Sequence, residues 1–179
     1  MIGRIMPIAV FLLLGVLLAV GLKIADKKAD LPSPLVGREM PKFTLPLLDQ
    51  PEVIVNSDEL IGEPMLINFW ASWCVTCRVE HPIIEELAAS GAIKVIGLNF
   101  RDESEDALAW LDRFGNPYAM TIQDYDGRTS IDFGVYAAPE SFLVDEKGVI
   151  VYKQLGALTN EAIEQEILPR IGKQGSMTR

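Results

Sequence analysis

Cysteine and histidine are nearly absent from this 179-residue sequence: Cys74, Cys77 and His81 are all there is of either. A closed structural zinc site uses four nitrogen or sulfur ligands, so three such residues fall short of one. Two cysteines allow a single bridge, which rules out a disulfide framework. Basic residues are also few, 16 Lys and Arg against 25 Asp and Glu, for a formal net charge of −9. Without a basic patch, nucleic acid is not an expected partner. The acidic excess is of the kind that keeps a protein soluble and requires no cationic partner. Internal repeats and low-complexity tracts are missing as well.

Charge is missing altogether from Ile5 to Leu22, "IMPIAVFLLLGVLLAVGL". At ~1.5 Å per residue this run just reaches across a hydrocarbon core of about 30 Å. We expect residues 1–24 to be a cytoplasmic stub and transmembrane anchor. The competing reading is a cleaved signal peptide, with Arg4 as its basic start and Ala19 to Gly21 as a small-residue cleavage site. Lysines after the span balance Arg4 before it, so the positive-inside rule does not orient the segment.

Asp26 to Pro41 mixes charges with three prolines and reads as a tether, with the linker at residues 25–40. A domain is expected over residues 41–172, with a tail at 173–179. Phe43 to Leu48 suits an edge strand, because Pro46 cannot donate in a central one. Ser57 is expected to cap a short helix. Met65 to Phe69 and Ile93 to Phe100 are apolar runs suited to buried strands. Between them Val79, Ile83, Ile84, Leu87 and Ala88 recur at helical spacing. Glu103 to Phe114 reads as an amphipathic helix stopped by Gly115. A short strand at Ala119 to Ile122 and a helical piece near Ser130 follow. Ser141 to Val144 and Val149 to Leu155 flank "DEKG" as a hairpin. Thr159 caps a last helix to about Ile171. The alternation predicts an α/β fold, a mixed central sheet with helices on both faces.

The stretch "WASWCVTCRVEHP" concentrates the rare residues. A bridge across so short a loop removes little unfolded-state entropy and stabilises weakly. A copper module is a rival, since thiolates suit Cu(I), but a redox pair fits better. The cysteines follow a buried strand and open a helix. There, free N–H groups and the positive end of the helix dipole stabilise a thiolate at Cys74. Cys74 is therefore expected to be the exposed nucleophile and Cys77, one turn later, the resolving thiol. Pro82 lies inside the helix and should kink it. Trp73 offers a flat apolar contact to a partner chain. No cofactor or metal is expected.

"NFWASWCVTC" followed by Pro82 resembles the thioredoxin superfamily. "CRVEHP", "GNPYAM" and "GVYAAPESFLVD", at Gly134 to Asp145, together resemble the cytochrome c biogenesis thiol:disulfide interchange proteins of the DsbE type. The resemblance runs over about residues 37 to 172, plus the anchor. It implies a thioredoxin-like fold, a redox-active Cys74–Cys77 pair, a cis Pro139 facing the cysteines, and Tyr136 and Ala138 as substrate contacts beside it. It also implies a domain held in the periplasm by a single-pass inner-membrane anchor. The implied activity is reduction of the haem-attachment cysteines of apocytochrome c, directly or through a partner thiol protein, with a transmembrane thiol reductase as electron donor.

The sequence departs from thioredoxins where they carry a buried Asp six residues before the first cysteine: here stands Asn68, which takes no proton. Glu80 is expected to assist proton transfer at Cys77 in its place, and Glu140 to add negative charge beside Cys74. Ala137 and Ser141 stand where the family segment usually has Gly and Thr. Val75 and Thr76 add no charge between the cysteines, and both glutamates oppose a thiolate, which favours a reductant over an oxidant. A non-catalytic docking module and a copper- or haem-handling protein are the alternatives.

Overall fold

The computed structural model describes residue 6, residues 10–21 and residues 33–174. Residues 10–21 form a helix, α1, whose large apolar side chains are exposed. Among the described residues no helix is long and apolar enough to cross a membrane. The remainder of the Ile5–Leu22 run, the first half of the linker (residues 25–32) and residues 175–179 lie outside the described residues.

Contacts divide the chain into two units, residues 1–33 and 34–179. The second begins earlier than the expected Pro41. Gly37 N–H donates to the Ile150 carbonyl at 2.8 Å, Glu39 bridges Val149, and Met40 is buried. Residues 37–40, read from the sequence as part of the tether, are here backbone paired with residues 148–150. At the other end the last helix continues beyond residue 172, through Gln174.

Five strands form the central sheet in the order β5-β4-β3-β6-β7. They are β3 (Met65–Trp70), β4 (Lys94–Phe100), β5 (Met120–Asp124), β6 (Glu140–Val144) and β7 (Ile150–Leu155). β3, β4 and β5 run parallel, whereas β6 and β7 are antiparallel to their neighbours, so the sheet is mixed. β3 lies at its centre and every one of its residues is buried, which accounts for an apolar run without alternation.

The two sides of β3 nonetheless serve different cores. Leu66 and Trp70 face one that contains both cysteines. Ile84 and Leu87 of α2 (Val75–Ala89), Trp110 and Leu111 of α3 (Ser104–Phe114), and Ile167 near the C-terminus belong to it. Met65, Ile67 and Phe69 face the other, with Phe142, Phe133 after α4 (Arg128–Asp132), and Phe43. At about 25 cal/mol per Å² of apolar surface buried, these two cores are the main source of stability. The final helix starts as α5 (Asn160–Ala162), passes through a π turn (Ile163–Ile167) and ends as α6 (Leu168–Gln174). Thr159 Oγ1 caps it, accepting from Ala162 N–H at 3.1 Å.

Several local expectations are corrected. β1 (Thr44–Pro46) pairs with β2 (Ile54–Asn56) in a two-stranded ribbon, and the expected edge strand meets the central sheet only just beyond β1, where Leu47 bridges Ile122 and Leu48 N–H donates to the Thr121 carbonyl at 2.9 Å. The short helix at Ser57–Leu60 is a 3-10 turn capped by Asn56, whose side chain accepts from Asp58 N–H. Ser57 Oγ instead accepts from Phe43 N–H, tying the ribbon's strands together. Val79 is 70% exposed, and the buried face of α2 is Cys77, Glu80, His81, Ile84 and Leu87. Apolar spacing finds Ile84 and Leu87 on that face but not Glu80 and His81, which are polar and satisfied. His81 Nε2 lies 3.1 Å from the carbonyls of both Phe114 and Gly115, and its ring meets Trp110 edge-on. Pro82 sits within α2, which continues through it.

Candidate active site

β3 ends at Trp70, and the turn after it delivers Cys74 to the N-cap of α2. A disulfide joins Cys74 to Cys77. Cys77 N–H points at Cys74 Sγ, 3.0 Å away. On reduction the same N–H stabilises charge on Cys74, as does the helix dipole behind it. In the oxidised form both cysteines are covered, Cys74 5% and Cys77 2% exposed, so the expected large difference in exposure is not seen. The asymmetry lies in the hydrogen bond: Cys74 Sγ accepts at the helix start, whereas Cys77 sits on the buried face.

The turn is pinned from β4. Asp102, buried, accepts from Ser72 N–H, from Ser72 Oγ at 2.7 Å, from Asn99 Nδ2 at 3.0 Å and from Glu103 N–H at 3.1 Å. Trp73 Nε1 donates to the Arg101 carbonyl at 3.0 Å. Trp73 is thus held by one edge and 55% exposed across its face. Arg101 has φ 45°, a backbone region costly for a residue with a Cβ. Its carbonyl is directed at the indole all the same.

Glu80 lies three residues after Cys77 on the same face of α2, 2% exposed. Oε1 accepts from Asn68 Nδ2 at 2.9 Å and Oε2 from Leu158 N–H at 2.6 Å. Burial raises its pKa from 4.5 to about 7, while the Leu158 and Asn68 hydrogen bonds restrain the rise. Asn68 is placed by Ser141 Oγ, which accepts from its amide at 3.0 Å, and by Tyr118, which donates to Asn68 Oδ1 at 2.9 Å. Burial and the Glu80 charge push the Tyr118 phenol well above its ordinary value, keeping it a donor. Gly97 makes room for it: a Cβ there would come within 2.7 Å of the Tyr118 ring. So Asn68, unable to carry a proton itself, orients the carboxyl that can. Tyr118, Leu158 and Ser141 complete that cradle, and only contacts distant in sequence reveal it.

β6 begins opposite Phe69, at the end of β3 that leads to the cysteines. The Ala138–Pro139 peptide before it is cis. Ala138 packs against the core containing both cysteines, and Tyr136, two residues earlier, is 93% exposed. Glu140 requires a correction. It is buried, and its carboxylate lies 2.6 Å from Lys153 Nζ. It shares the sheet face of Phe142, opposite to that of the cysteines and Glu80, so it is not a bare negative charge beside Cys74.

Such a site can exchange a dithiol for a disulfide: a capped sulfur at a helix start, a second sulfur one turn in, and a buried proton-binding carboxyl behind it. The Redoxin family model matches residues 35–168. The chain is 41% identical over 169 residues to the thiol:disulfide interchange protein DsbE of Allochromatium vinosum, covering 94% of this chain and 92% of that protein. It is 45% identical over 145 residues to DsbE of Escherichia coli K12, covering 80% and 78%. A crystal structure of a DsbE-type protein from Chlorobium tepidum superposes with TM-score 0.68 at 29% identity, over 76% of this chain and 98% of that one. With a family model matching most of its length, 41% and 45% identity to relatives of which 92% and 78% are covered, and its own cysteine pair between a buried strand and a helix, the chain is a thiol:disulfide oxidoreductase belonging to the Redoxin family, among the DsbE-type interchange proteins.

Proposed function

We propose that this protein is a membrane-anchored periplasmic reductase of cytochrome c maturation. In this reading residues 1–24 anchor it in the inner membrane. The domain reduces the haem-attachment cysteine pair of apocytochrome c, directly or through a partner thiol protein. The observation that carries the reading is Glu80. A carboxyl with pKa about 7, one turn beyond Cys77, is suited to take a proton near neutral pH.

The reaction balances as follows. The Cys74 thiolate attacks one sulfur of the target disulfide, and the other target sulfur leaves as a thiolate and takes up a proton. Glu80 removes the proton from Cys77. The Cys77 thiolate then attacks Cys74 Sγ, forming the Cys74–Cys77 disulfide and releasing the first target sulfur as the second thiolate. Two electrons pass to the target, and a transmembrane thiol reductase returns them. Trp73, Tyr136 and Ala138 contact the target chain, beside Pro139.

Thiol trapping in a bacterium that makes c-type cytochromes tests this. Cys77→Ser should accumulate a disulfide-linked complex with apocytochrome c or its haem-ligation partner, through Cys74. Cys74→Ser should form none and abolish c-type cytochromes. Complexes formed only through Cys77, or normal cytochrome c levels in the Cys74→Ser strain, would sink the proposal. Mass spectrometry of the mature protein decides the anchor: a chain starting near Leu22 means a cleaved signal instead.

A further inference from the structure

Lys153 belongs to no motif. It lies in β7 directly opposite Phe142, with its side chain 8% exposed. An ammonium buried this deeply is costly unless its donors are satisfied. Three groups meet it: the Glu140 carboxylate at 2.6 Å, the Gly134 carbonyl at 3.1 Å and the Phe142 ring face at 4.8 Å. Gly134 and Glu140 are the two ends of one loop. Between them stand Tyr136, Ala138 and Pro139. A single ammonium therefore joins the ends of the segment that flanks the cysteines.

We propose that Lys153 is a positioning residue for exchange with polypeptide disulfides, clamping the 134–140 loop so that it presents a fixed surface to the substrate chain. The inference rests on the reading that this loop meets the substrate beside Cys74. Stability alone does not explain the pair, because apolar replacement of buried ion pairs is often neutral or stabilising. Fixing the loop does explain it: the ammonium rests over the Phe142 ring, and the Gly134 carbonyl and Glu140 carboxylate that meet it stand at opposite ends of the loop. The pair is neutral as a unit and faces away from the cysteines. Its loss should thus act on substrate fit rather than on the Cys74 thiolate.

The test uses the reduced protein with two oxidants: an oxidised peptide carrying Cys-X-X-Cys-His, and the small aromatic disulfide DTNB, which needs no peptide surface. The readout is the ratio of the two rates in one preparation, which cancels any loss of folded protein. Lys153→Met should lower that ratio on the order of tenfold, chiefly through the peptide KM. Lys153→Arg, which can reach both acceptors, should recover most of it. Because Lys153→Met leaves a carboxylate buried alone, the double variant Glu140→Gln/Lys153→Met is measured as well and should show the same drop. An unchanged ratio in both Met variants overturns the clamp. So does an equal loss on both oxidants. Tyr136→Ala shows whether the loop meets the substrate at all. If it reduces the peptide as fast as wild type, the loop does not meet substrate, and the reading beneath the clamp falls with it. If it is slow while the Lys153 variants keep the wild-type ratio, only the clamp falls.

Discussion

The two glutamates singled out by the family resemblance, Glu80 and Glu140, end in opposite circumstances. Glu140 is buried with a lysine, Glu80 with an amide and a backbone N–H. Without a cation, burial dominates at Glu80 and its pKa rises to about 7. The folded protein therefore binds that proton more tightly than the unfolded chain. The stability linked to it is complete below about 4.5 and is lost as pH rises through about 7. Between pH 5 and pH 8 the loss should be roughly 2 to 3 kcal/mol, at about 1.4 kcal/mol per pH unit. Glu80→Gln should be free of this slope, so urea unfolding of the two oxidised proteins at both pH values should diverge by that amount. The variant should also reduce disulfides roughly a hundredfold more slowly. Parallel stability curves would show that Glu80 titrates normally. The residue types at this site were legible in the sequence: the cysteine pair, Glu80, Pro139. Their surroundings were not, because Leu158 reaches Glu80 directly and Tyr118 reaches it through Asn68, both from segments far along the chain.

At the level of elements, the turn from β3 to α2 depends on β4. Asp102 gathers four donors, two of them from Ser72. Asp102→Ala would leave the Ser72 and Glu103 N–H groups and the Asn99 amide unpartnered in a partly buried setting. The expected loss is about 2 to 3 kcal/mol, with Trp73 fluorescence shifting as its loop loosens. Wild-type stability in urea together with an unchanged emission maximum would show that the turn stands without Asp102. α3 could be read from sequence because its burial follows a helical period, and the β6–β7 hairpin because the "DEKG" turn separates two strand-like runs. The pairing of β1 with β2 could not: three-residue strands carry too little pattern to show their partner.

For the whole molecule, the division at residues 33 and 34 carries a consequence. The hydrogen bonds that attach the N-terminal edge to β7 begin at Gly37, and core burial begins at Met40. Deleting residues 1–33 should yield a domain whose thermal midpoint and thiol exchange rate match those of the full chain in detergent. Deleting residues 1–40 removes the Gly37–Ile150 and Met40–Gly148 hydrogen bonds and the buried Met40 side chain, and should destabilise the domain by about 2 kcal/mol or more. Equal stability of the two truncations, measured by urea unfolding, would mean that the 34–40 segment contributes nothing.

The sequence alone determined the mixed α/β class, the strand-to-helix position of the cysteine pair and the identity of the buried strands. Each depends on local periodicity, on turn and cap chemistry, or on a compact motif. Only the tertiary structure decided which carboxylate stays unpaired and which meets a lysine, which polar residues of α2 face inward, and where the domain begins. The physical reason is that burial and charge pairing are properties of the space between elements. Glu80 and Glu140 look alike along the chain. They differ because one projects towards an amide and a backbone N–H on the cysteine side of the sheet, and the other towards Lys153 on the opposite side.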